Sequence, residues 1–196
     1  MITYNNPYST TLTLYDYSKT FGDKNVEIVA LNVLNDERFN LWSGSSKSNE
    51  HHYGKNGLTI HTLEVYRLCL STIQTLYHYE VDTLEMFFSS LFHDSGKMFD
   101  YKPINDTYME WEGTDHKRLI HHISRSGLIW SSAISEFPKL YDKYHDKVLH
   151  NILSHHGRRE WGSPVAPKTR EAWLLHLCDG LSARMNDCNK IDLVKL

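Results

Sequence analysis

The run His93-Asp94-Ser95-Gly96-Lys97 follows an apolar segment, residues 86–92, and combines residue types that bind metal ions. Burying an ionised carboxylate beside an imidazole costs several kcal/mol unless another group compensates, and a divalent cation compensates both side chains at once. Adjacent side chains both reach one ion where a helix ends, and Gly96 favours such an end. The run therefore predicts a metal-binding pair with Lys97 beside the cation. In the alternative interpretation, His93 and Lys97 only complement a helix dipole.

Further histidines and aspartates lie in apolar segments elsewhere in the chain. The sequence has 13 histidines, more than packing alone would normally use. The candidates for additional metal ligands are His61, His122, His155, His156 and Asp179. Imidazole and carboxylate without thiolate suit Mn, Fe, Co, Ni or Zn in a site with open coordination positions. The three cysteines form no C-x-x-C pair, so neither a cysteine zinc site nor a disulfide framework is expected.

An all-α bundle is predicted to position these side chains. Apolar spacing and end signals, such as the capping box that begins at Asp82, mark five helices. They cover residues 57–79, 82–94, 115–137, 138–156 and a last segment from about residue 169. Residues 98–114 and 158–168 contain proline and glycine and are predicted as loops, long enough to border a site.

The first 44 residues have a weaker pattern. Residues 1–20 are polar, and the alternation over residues 11–15 is typical of a strand, so a short extended or irregular segment is expected there. Residues 24–42 allow a helix, with a β-segment over residues 26–33 as the alternative. We expect residues 1–44 to form an N-terminal arm rather than an independent domain, and residues 45–196 to form one domain.

Composition excludes some classes of function. No run of about 18 apolar residues occurs, and the first residues lack the basic and apolar regions of an export signal, so a cytoplasmic protein without a membrane span is expected. The net charge of −3 gives no general attraction to polyanions. A long nucleic acid would need a local basic patch, whereas a small phosphate ligand needs less.

The order of the ligand candidates resembles the HD superfamily of metal-dependent phosphohydrolases. His61, the His93-Asp94 pair and Asp179 stand where that family has its defining ligands. Over roughly residues 48–187 the chain looks more narrowly like the HD domain of YhaM-type 3′-to-5′ exoribonucleases. The similar segments are Gly57-Leu58-Thr59-Ile60-His61-Thr62-Leu63-Glu64-Val65, His93-Asp94-Ser95-Gly96-Lys97, Arg118-Leu119-Ile120-His121-His122-Ile123, Ile152-Leu153-Ser154-His155-His156-Gly157, Trp161-Gly162-Ser163-Pro164-Val165 and Pro167-Lys168-Thr169. Exonucleases of that type carry an OB-like module ahead of the HD domain, and the segment before Gly44 is too short to be one.

The resemblance implies hydrolysis of phosphoester bonds by water that one or two divalent transition-metal ions activate. It implies that the first ion is held by His61, His93, Asp94 and Asp179, and the second by His122, His155 and His156. Asp94 would bridge the ions with its two oxygens, and Lys97 would contact a phosphate oxygen as a point charge. With a single ion, a histidine of the second set, such as His122, would act as a general acid or contact the substrate. Gly57 stands one turn before His61, where family members with a third metal have an acidic ligand, so at most two ions are expected.

The expected substrate is a nucleotide or a short nucleic-acid 3′ end. Side chains that are candidates for holding its phosphates are Lys97, Arg118, Arg158, Arg159 and Lys168, although loop arginines are usually only solvated. Trp111 and Trp161 are candidates for stacking on a base or for covering a core edge. By the resemblance, His51 and His52 are open candidates for substrate contact, whereas helix geometry predicts that His121 faces away from the site.

Two other classes of function stay open. Some HD proteins use the same ligands to activate O₂, so a di-iron oxygenase is one alternative, and a nucleotide-binding module without turnover is another. The N-terminal arm or a homo-oligomer would be the source of any larger nucleic-acid surface.

Overall fold

The computed structural model of the chain describes residues 9–188, and these fold almost entirely into α-helices. The predicted all-α class is confirmed. The helices are α1 (Ser9–Lys19), α2 (Lys24–Leu34), α3 (Glu37–Leu41), α4 (Gly57–Thr75), α5 (Thr83–Phe92), α6 (Lys97–Asp100), α7 (Asp115–Leu119), α8 (His122–Ile134), α9 (Pro138–Ser154) and α10 (Arg170–Cys188). A short hairpin pairs β1 (Tyr101–Pro103) with β2 (Trp111–Gly113), and a 3-10 turn covers Arg159–Trp161.

The described part of the N-terminal segment is helical, so the expected strand over residues 11–15 is wrong. These residues lie in α1, where Leu14 is buried in the main core together with Val26 and Val29 of α2. Packing of one apolar side of α1 on α2 outweighs the local alternation. Residues 26–33 are helical, which excludes the β alternative. Residues 1–8 lie outside the described part of the chain. That residues 1–44 do not form an independent domain stays a prediction.

Helix α5 is the central element of the bundle. Every residue from Glu85 to Phe92 is buried, and Phe88 and Phe92 pack on the Trp130 ring of α8, with ring centroids 5.1 and 5.2 Å apart. The predicted start of this helix is confirmed, because the Asp82 carboxylate accepts hydrogen bonds from the backbone N–H groups of Leu84 and Glu85. The helix therefore ends deep inside the protein, and its last turn delivers His93 and Asp94 to the interior.

Two further predicted segments differ from the structure. The helix expected over residues 115–137 is broken into α7 and α8 at His121, whose positive φ of 70° interrupts the helix. The loop expected over residues 98–114 contains most of α6 and the β1–β2 hairpin. Among residues 9–188, no helix combines the length and the apolar character that a bilayer crossing requires.

Candidate metal centre

The seven predicted metal ligands come together at one end of the bundle, from five helices and their ends. Helix α4 supplies His61, the residues that follow α5 supply His93 and Asp94, and α8 begins with His122. His155 and His156 directly follow α9, and Asp179 lies in the middle of α10. His61, His93 and His155 are fully buried, and Asp94 is 2% exposed.

The first ligand group surrounds one oxygen of Asp94. The Nε2 atoms of His61 and His93 lie 3.3 Å apart, and Asp94 Oδ2 is 3.4 Å from each of them. Asp179 Oδ1 is 3.0 Å from His61 Nε2 and 4.0 Å from His93 Nε2. Two imidazoles and two carboxylates thus present their ligand atoms to a common point.

The second ligand group lies on the other side of Asp94. His122, His155 and His156 each offer a ring nitrogen within 4.8 Å of the other two. Asp94 Oδ1 lies 3.4 Å from His122 Nε2 and 3.7 Å from His155 Nε2. The two oxygens of Asp94 therefore face two different sets of histidines.

Buried polar atoms without hydrogen-bond partners show that this site fits a cation. Asp94 Oδ1, His122 Nε2 and His155 Nε2 are all buried, and none of them has a hydrogen-bond partner. Such an atom costs about 1–3 kcal/mol when nothing compensates it, and here three of them point to the same place. A divalent cation between them would satisfy all three at once.

The opposite ring nitrogens of three histidines are fixed by backbone carbonyls. The Nδ1 atoms of His93, His155 and His156 lie 2.8, 2.6 and 2.6 Å from the carbonyl oxygens of Ser90, Ile152 and Trp161, respectively. Because a carbonyl oxygen only accepts, each Nδ1 carries the hydrogen. In the neutral ring Nε2 then has a free lone pair, which is the state that a metal ligand requires.

The Nδ1–H of His61 donates to Ser182. Ser182 Oγ is 3.1 Å from His61 Nδ1 and donates its own hydrogen to Glu64 Oε2 at 3.0 Å. The hydroxyl is therefore left to accept from His61. Glu64 Oε2 also contacts His52 Nε2 at 2.9 Å. This chain of hydrogen bonds links α4 to α10 and fixes the His61 ring.

Asp100 performs the corresponding role for His122 and was missed by the sequence analysis. Its Oδ2 lies 3.2 Å from His122 Nδ1 and 3.1 Å from the His122 backbone nitrogen, and its Oδ1 accepts from His116 at 2.7 Å. Burial alone would raise the pKa of Asp100, but the bonds to His122 and His116 outweigh it and lower that pKa. Asp100 lies in a segment that was predicted as a loop. Its spacing from the His93-Asp94 pair therefore did not indicate that it would contact a candidate ligand.

Protonation differs between the two groups in the metal-free protein. Burial would lower the pKa of His61, but the carboxylates of Asp179 and Asp94 raise it to about 9. Burial lowers the pKa of His122 to about 4 and that of His156 to about 3. Near pH 7 His122 and His156 are therefore neutral and ready to bind a cation, whereas His61 must release a proton to do so.

Lys97 neutralises part of the charge at the centre. Its Nζ lies 2.7 Å from Asp94 Oδ2, and the residue is only 6% exposed. Burial would lower the pKa of Lys97, but the Asp94 carboxylate more than offsets this and raises it. The ammonium group therefore stays charged inside the site. The same charge holds the pKa of Asp94 below its usual range although burial acts in the opposite direction.

The two groups open into a cavity of about 210 Å³. Lys97, His155 and Asp179 line it on the inner side, and Trp161 and Arg184 line it as exposed residues. His51 and His176 also line it. Neither His176 nor Arg184 was predicted from the sequence as a site residue. Nothing in their local sequence distinguishes them, because only the packing of α10 and the loop after α9 brings them to the cavity.

Comparison with known proteins identifies the family. A family model described as "HD domain" matches residues 58–184. The chain belongs to the HD domain family. It is 36% identical over 139 residues to the 3′-5′ exoribonuclease YhaM of Shouchella clausii (strain KSM-K16), in an alignment that covers 69% of this chain and 40% of the relative. The chain thus spans about two fifths of that relative's length. No solved structure matches the chain.

The basic residues predicted to hold phosphates do not all lie near the centre of this HD domain. Arg158, Arg159 and Lys168 line a separate surface cavity of about 580 Å³ beside the loop after α9. The side chain of Arg118 is 75% exposed and pairs with Asp115 at 3.1 Å. Lys97 is thus the one predicted phosphate contact that lines the metal-site cavity among the residues described.

The two tryptophans that were candidates for stacking on a base lie in different parts of the HD domain. Trp111 is 5% exposed and packs on Trp42 at a core edge, whereas Trp161 is 55% exposed at the metal-site cavity. The prediction that His121 faces away is wrong, because the helix is broken there. Its ring lies 4.1 Å from the His122 ring and, with Asp100 and His122, forms a further cluster of ligand atoms.

Gly57 has no room for a side chain. A Cβ at this position would lie 1.8 Å from the carbonyl oxygen of His52, so the backbone of residues 51–52 occupies the space next to α4. His51 and His52 form a third cluster of ligand atoms with His61. Burial lowers the pKa of His51 to about 2, so this ring is neutral at the cavity wall. The limit of two ions stays a prediction.

Proposed function

We propose that this HD domain is a metal-dependent phosphohydrolase that cleaves phosphoester bonds of nucleotides or of short nucleic-acid 3′ ends. The observation that carries the proposal is the position of Asp94, whose two buried oxygens face two histidine groups beside the charged Lys97. Membership of the HD family supports the metal dependence. The name of the relative, a 3′-5′ exoribonuclease, supports a nucleic-acid end as substrate, although the alignment covers 40% of that protein.

The distances support a division of the ligands between two ions. The first ion would be held by His61, His93, Asp94 and Asp179, and the second by His122, His155 and His156, with one oxygen of Asp94 available to each group. Nitrogen and oxygen donors without thiolate suit Mn, Fe, Co, Ni or Zn. When bound, such ions supply polarisation of a phosphoryl oxygen and an acidified water as the nucleophile.

Lys97 orients the phosphate in this proposal. One of its three N–H donors bonds to Asp94 Oδ2, and the other donors remain for an oxygen of the scissile phosphate in the cavity. Because the ammonium is buried, its charge is poorly screened and acts strongly on a nearby phosphate. Arg158, Arg159 and Lys168 would bind more distant phosphates of a longer substrate, outside the metal-site cavity.

The size of the cavity favours cleavage at an end of a strand. Its volume of about 210 Å³ is below the range of roughly 300–1,000 Å³ that drug-sized ligands occupy. A phosphate with part of one terminal nucleotide fits such a space.

Hydrolysis of short oligonucleotides tests the proposal. The protein is stripped of metal, reloaded with Mn or Co, and incubated with 5′-labelled RNA and DNA oligonucleotides and with mononucleotides. We expect metal-dependent release of nucleotides from the 3′ end, and we expect Asp94→Asn to abolish it without loss of helical circular dichroism. Asp142→Asn, at an exposed aspartate of α9, is the matched control and should keep the wild-type rate.

The same experiment separates the alternative functions. Turnover without O₂ would exclude the oxygenase. Metal-loaded protein that hydrolyses neither oligonucleotides nor mononucleotides would contradict the proposal, and tight nucleotide binding without turnover would favour a binding module.

A further inference from the structure

Trp161 forms an exposed aromatic surface at the mouth of the metal-site cavity. It is 55% exposed, yet its backbone is held in place because its carbonyl oxygen accepts the Nδ1–H of His156 at 2.6 Å. The Arg158 guanidinium lies 4.9 Å from the centre of the ring and covers one face. The indole is therefore anchored next to a predicted metal ligand while much of its surface stays available.

Gly180 borders the same cavity from α10, directly after Asp179. Glycine in a helix interior is less favourable than alanine, so it usually has a packing reason. No such reason exists within the described protein, because a Cβ at Gly180 would meet no atom within 4 Å. By contrast, a Cβ at Gly96 would lie 2.2 Å from a backbone oxygen. Gly180 is exposed, so its missing side chain leaves the rim of the cavity beside Asp179 open.

We propose that the nucleobase next to the scissile phosphate stacks on the Trp161 indole and occupies the space beside Gly180. This inference rests on the proposed phosphohydrolase function and specifies its substrate, a phosphoester that carries a nucleoside. Every base has a π-face, so stacking of this kind gives a preference for nucleotides without a strong preference among the bases. Trp161 and Gly180 are thus specificity-determining residues, and the metal ligands remain responsible for the reaction.

Two chromogenic esters measure the contribution of the base. Thymidine 5′-(p-nitrophenyl phosphate) carries a base, and methyl p-nitrophenyl phosphate does not, while both release p-nitrophenol. In Trp161→Ala and Gly180→Leu we expect the ratio of kcat/KM for the first ester to that for the second to fall about tenfold or more, mainly through KM. Trp161→Phe should restore most of the ratio, because it keeps an aromatic face.

Trp173→Ala is the matched control. Trp173 is also exposed on α10, at 49%, but it lines a different cavity, so both esters should react as in the wild type. The melting temperature gives a second readout. Gly180→Leu should melt at or above the wild-type temperature, because leucine favours a helix and meets no protein atom at Cβ. Equal losses on both esters, or an unchanged ratio, would overturn the proposal.

Binding without turnover separates this inference from the proposed function. Thymidine 5′-monophosphate should bind the Mn-loaded wild type more tightly than inorganic phosphate does, and Trp161→Ala should remove most of that difference. If neither ester is hydrolysed but this difference is found, the phosphohydrolase proposal fails and the base site stands. If the monophosphate binds no more tightly than phosphate, the base site is overturned.

Discussion

The Asp94 carboxylate connects the two ligand groups because each oxygen has a different set of neighbours. Oδ2 faces His61 and His93 and accepts from Lys97, whereas Oδ1 faces His122 and His155 and lacks a hydrogen-bond partner. A residue with one ligand atom could not serve both groups. In the proposed site a buried aspartate at the end of α5 meets this requirement, because its carboxylate has two ligand atoms.

The Asp100 carboxylate is predicted to tune the second group. It accepts from the side chain and backbone of His122, and such partners of a ligand histidine typically contribute about 10–100-fold to metal affinity. We therefore expect Asp100→Asn to weaken binding of the second ion by a factor in this range, as measured by isothermal titration with Mn.

Asp115→Asn is the control for that measurement. The Asp115 side chain is 83% exposed, and its ion pair in the described part of the chain is with Arg118. Its substitution should therefore leave the titration unchanged. Equal affinity in Asp100→Asn and the wild type would show that Asp100 has only a structural role.

The candidate ligands that the structure brings together could be picked out from the sequence, but the residues that support them could not. His61, His93 and Asp94 lie in or directly after apolar segments that the sequence marks as helices. Their residue types in such segments marked them as candidate metal ligands. Asp100 and His176 contact the ligands through packing between distant segments, such as the 2.7 Å contact of His176 Nδ1 with the carbonyl oxygen of His155. No local pattern marks such a contact.

At the scale of elements, the sequence predicted some helices correctly and others wrongly. Helix α5 was predicted because a capping residue marks its start, and α10 because apolar residues recur at helical spacing after residue 172. Residues 11–15 were predicted as extended because their few apolar residues alternate, whereas in the structure α1 packs on α2 and, through Tyr17 and Tyr66, on α4. The break at His121 was missed because no glycine or proline marks it.

The turn between α5 and α6 depends on Gly96. A Cβ there would lie 2.2 Å from the His122 carbonyl oxygen and 2.8 Å from its Cα, so α6 and the start of α8 can approach only without a side chain. We expect Gly96→Ala to push His122 away from Asp94. This should lower the stability by about 1–3 kcal/mol and reduce the activity, as measured by urea unfolding and oligonucleotide hydrolysis.

Gly180→Ala is the matched substitution for the stability measurement. Its Cβ would meet no atom within 4 Å, so this variant should be as stable as the wild type or more stable. If both variants unfold at the same urea concentration, the close approach at Gly96 does not constrain the fold.

The charge of the whole chain predicts that its affinity for a nucleic-acid strand depends only weakly on salt concentration. The net charge is −3, and Lys97 and the exposed Arg184 line the metal-site cavity. Arg158, Arg159 and Lys168 line a separate cavity, and Arg118 pairs with Asp115. Each phosphate contact with a single strand contributes about −0.7 to the slope of log affinity against log salt. Few contacts should therefore give a shallow slope and distributive degradation of long strands.

A short and a long oligonucleotide, compared at rising salt concentration, test this expectation. Processive degradation of the long strand, or a steep slope for its binding, would show that an oligomer or the N-terminal segment provides additional nucleic-acid surface.

The central claim, two ions joined by Asp94 for phosphoester hydrolysis, is tested most directly by a manganese titration of the metal-free protein. Bound metal and the rate of oligonucleotide hydrolysis are measured on the same samples. The wild type should bind two ions per chain, and its rate should rise with the second. His122→Ala should bind about one ion and lose orders of magnitude in rate, while His78→Ala, at an exposed histidine, should match the wild type. Wild-type protein that binds no manganese, or unchanged stoichiometry and kinetics in His122→Ala, would contradict the account.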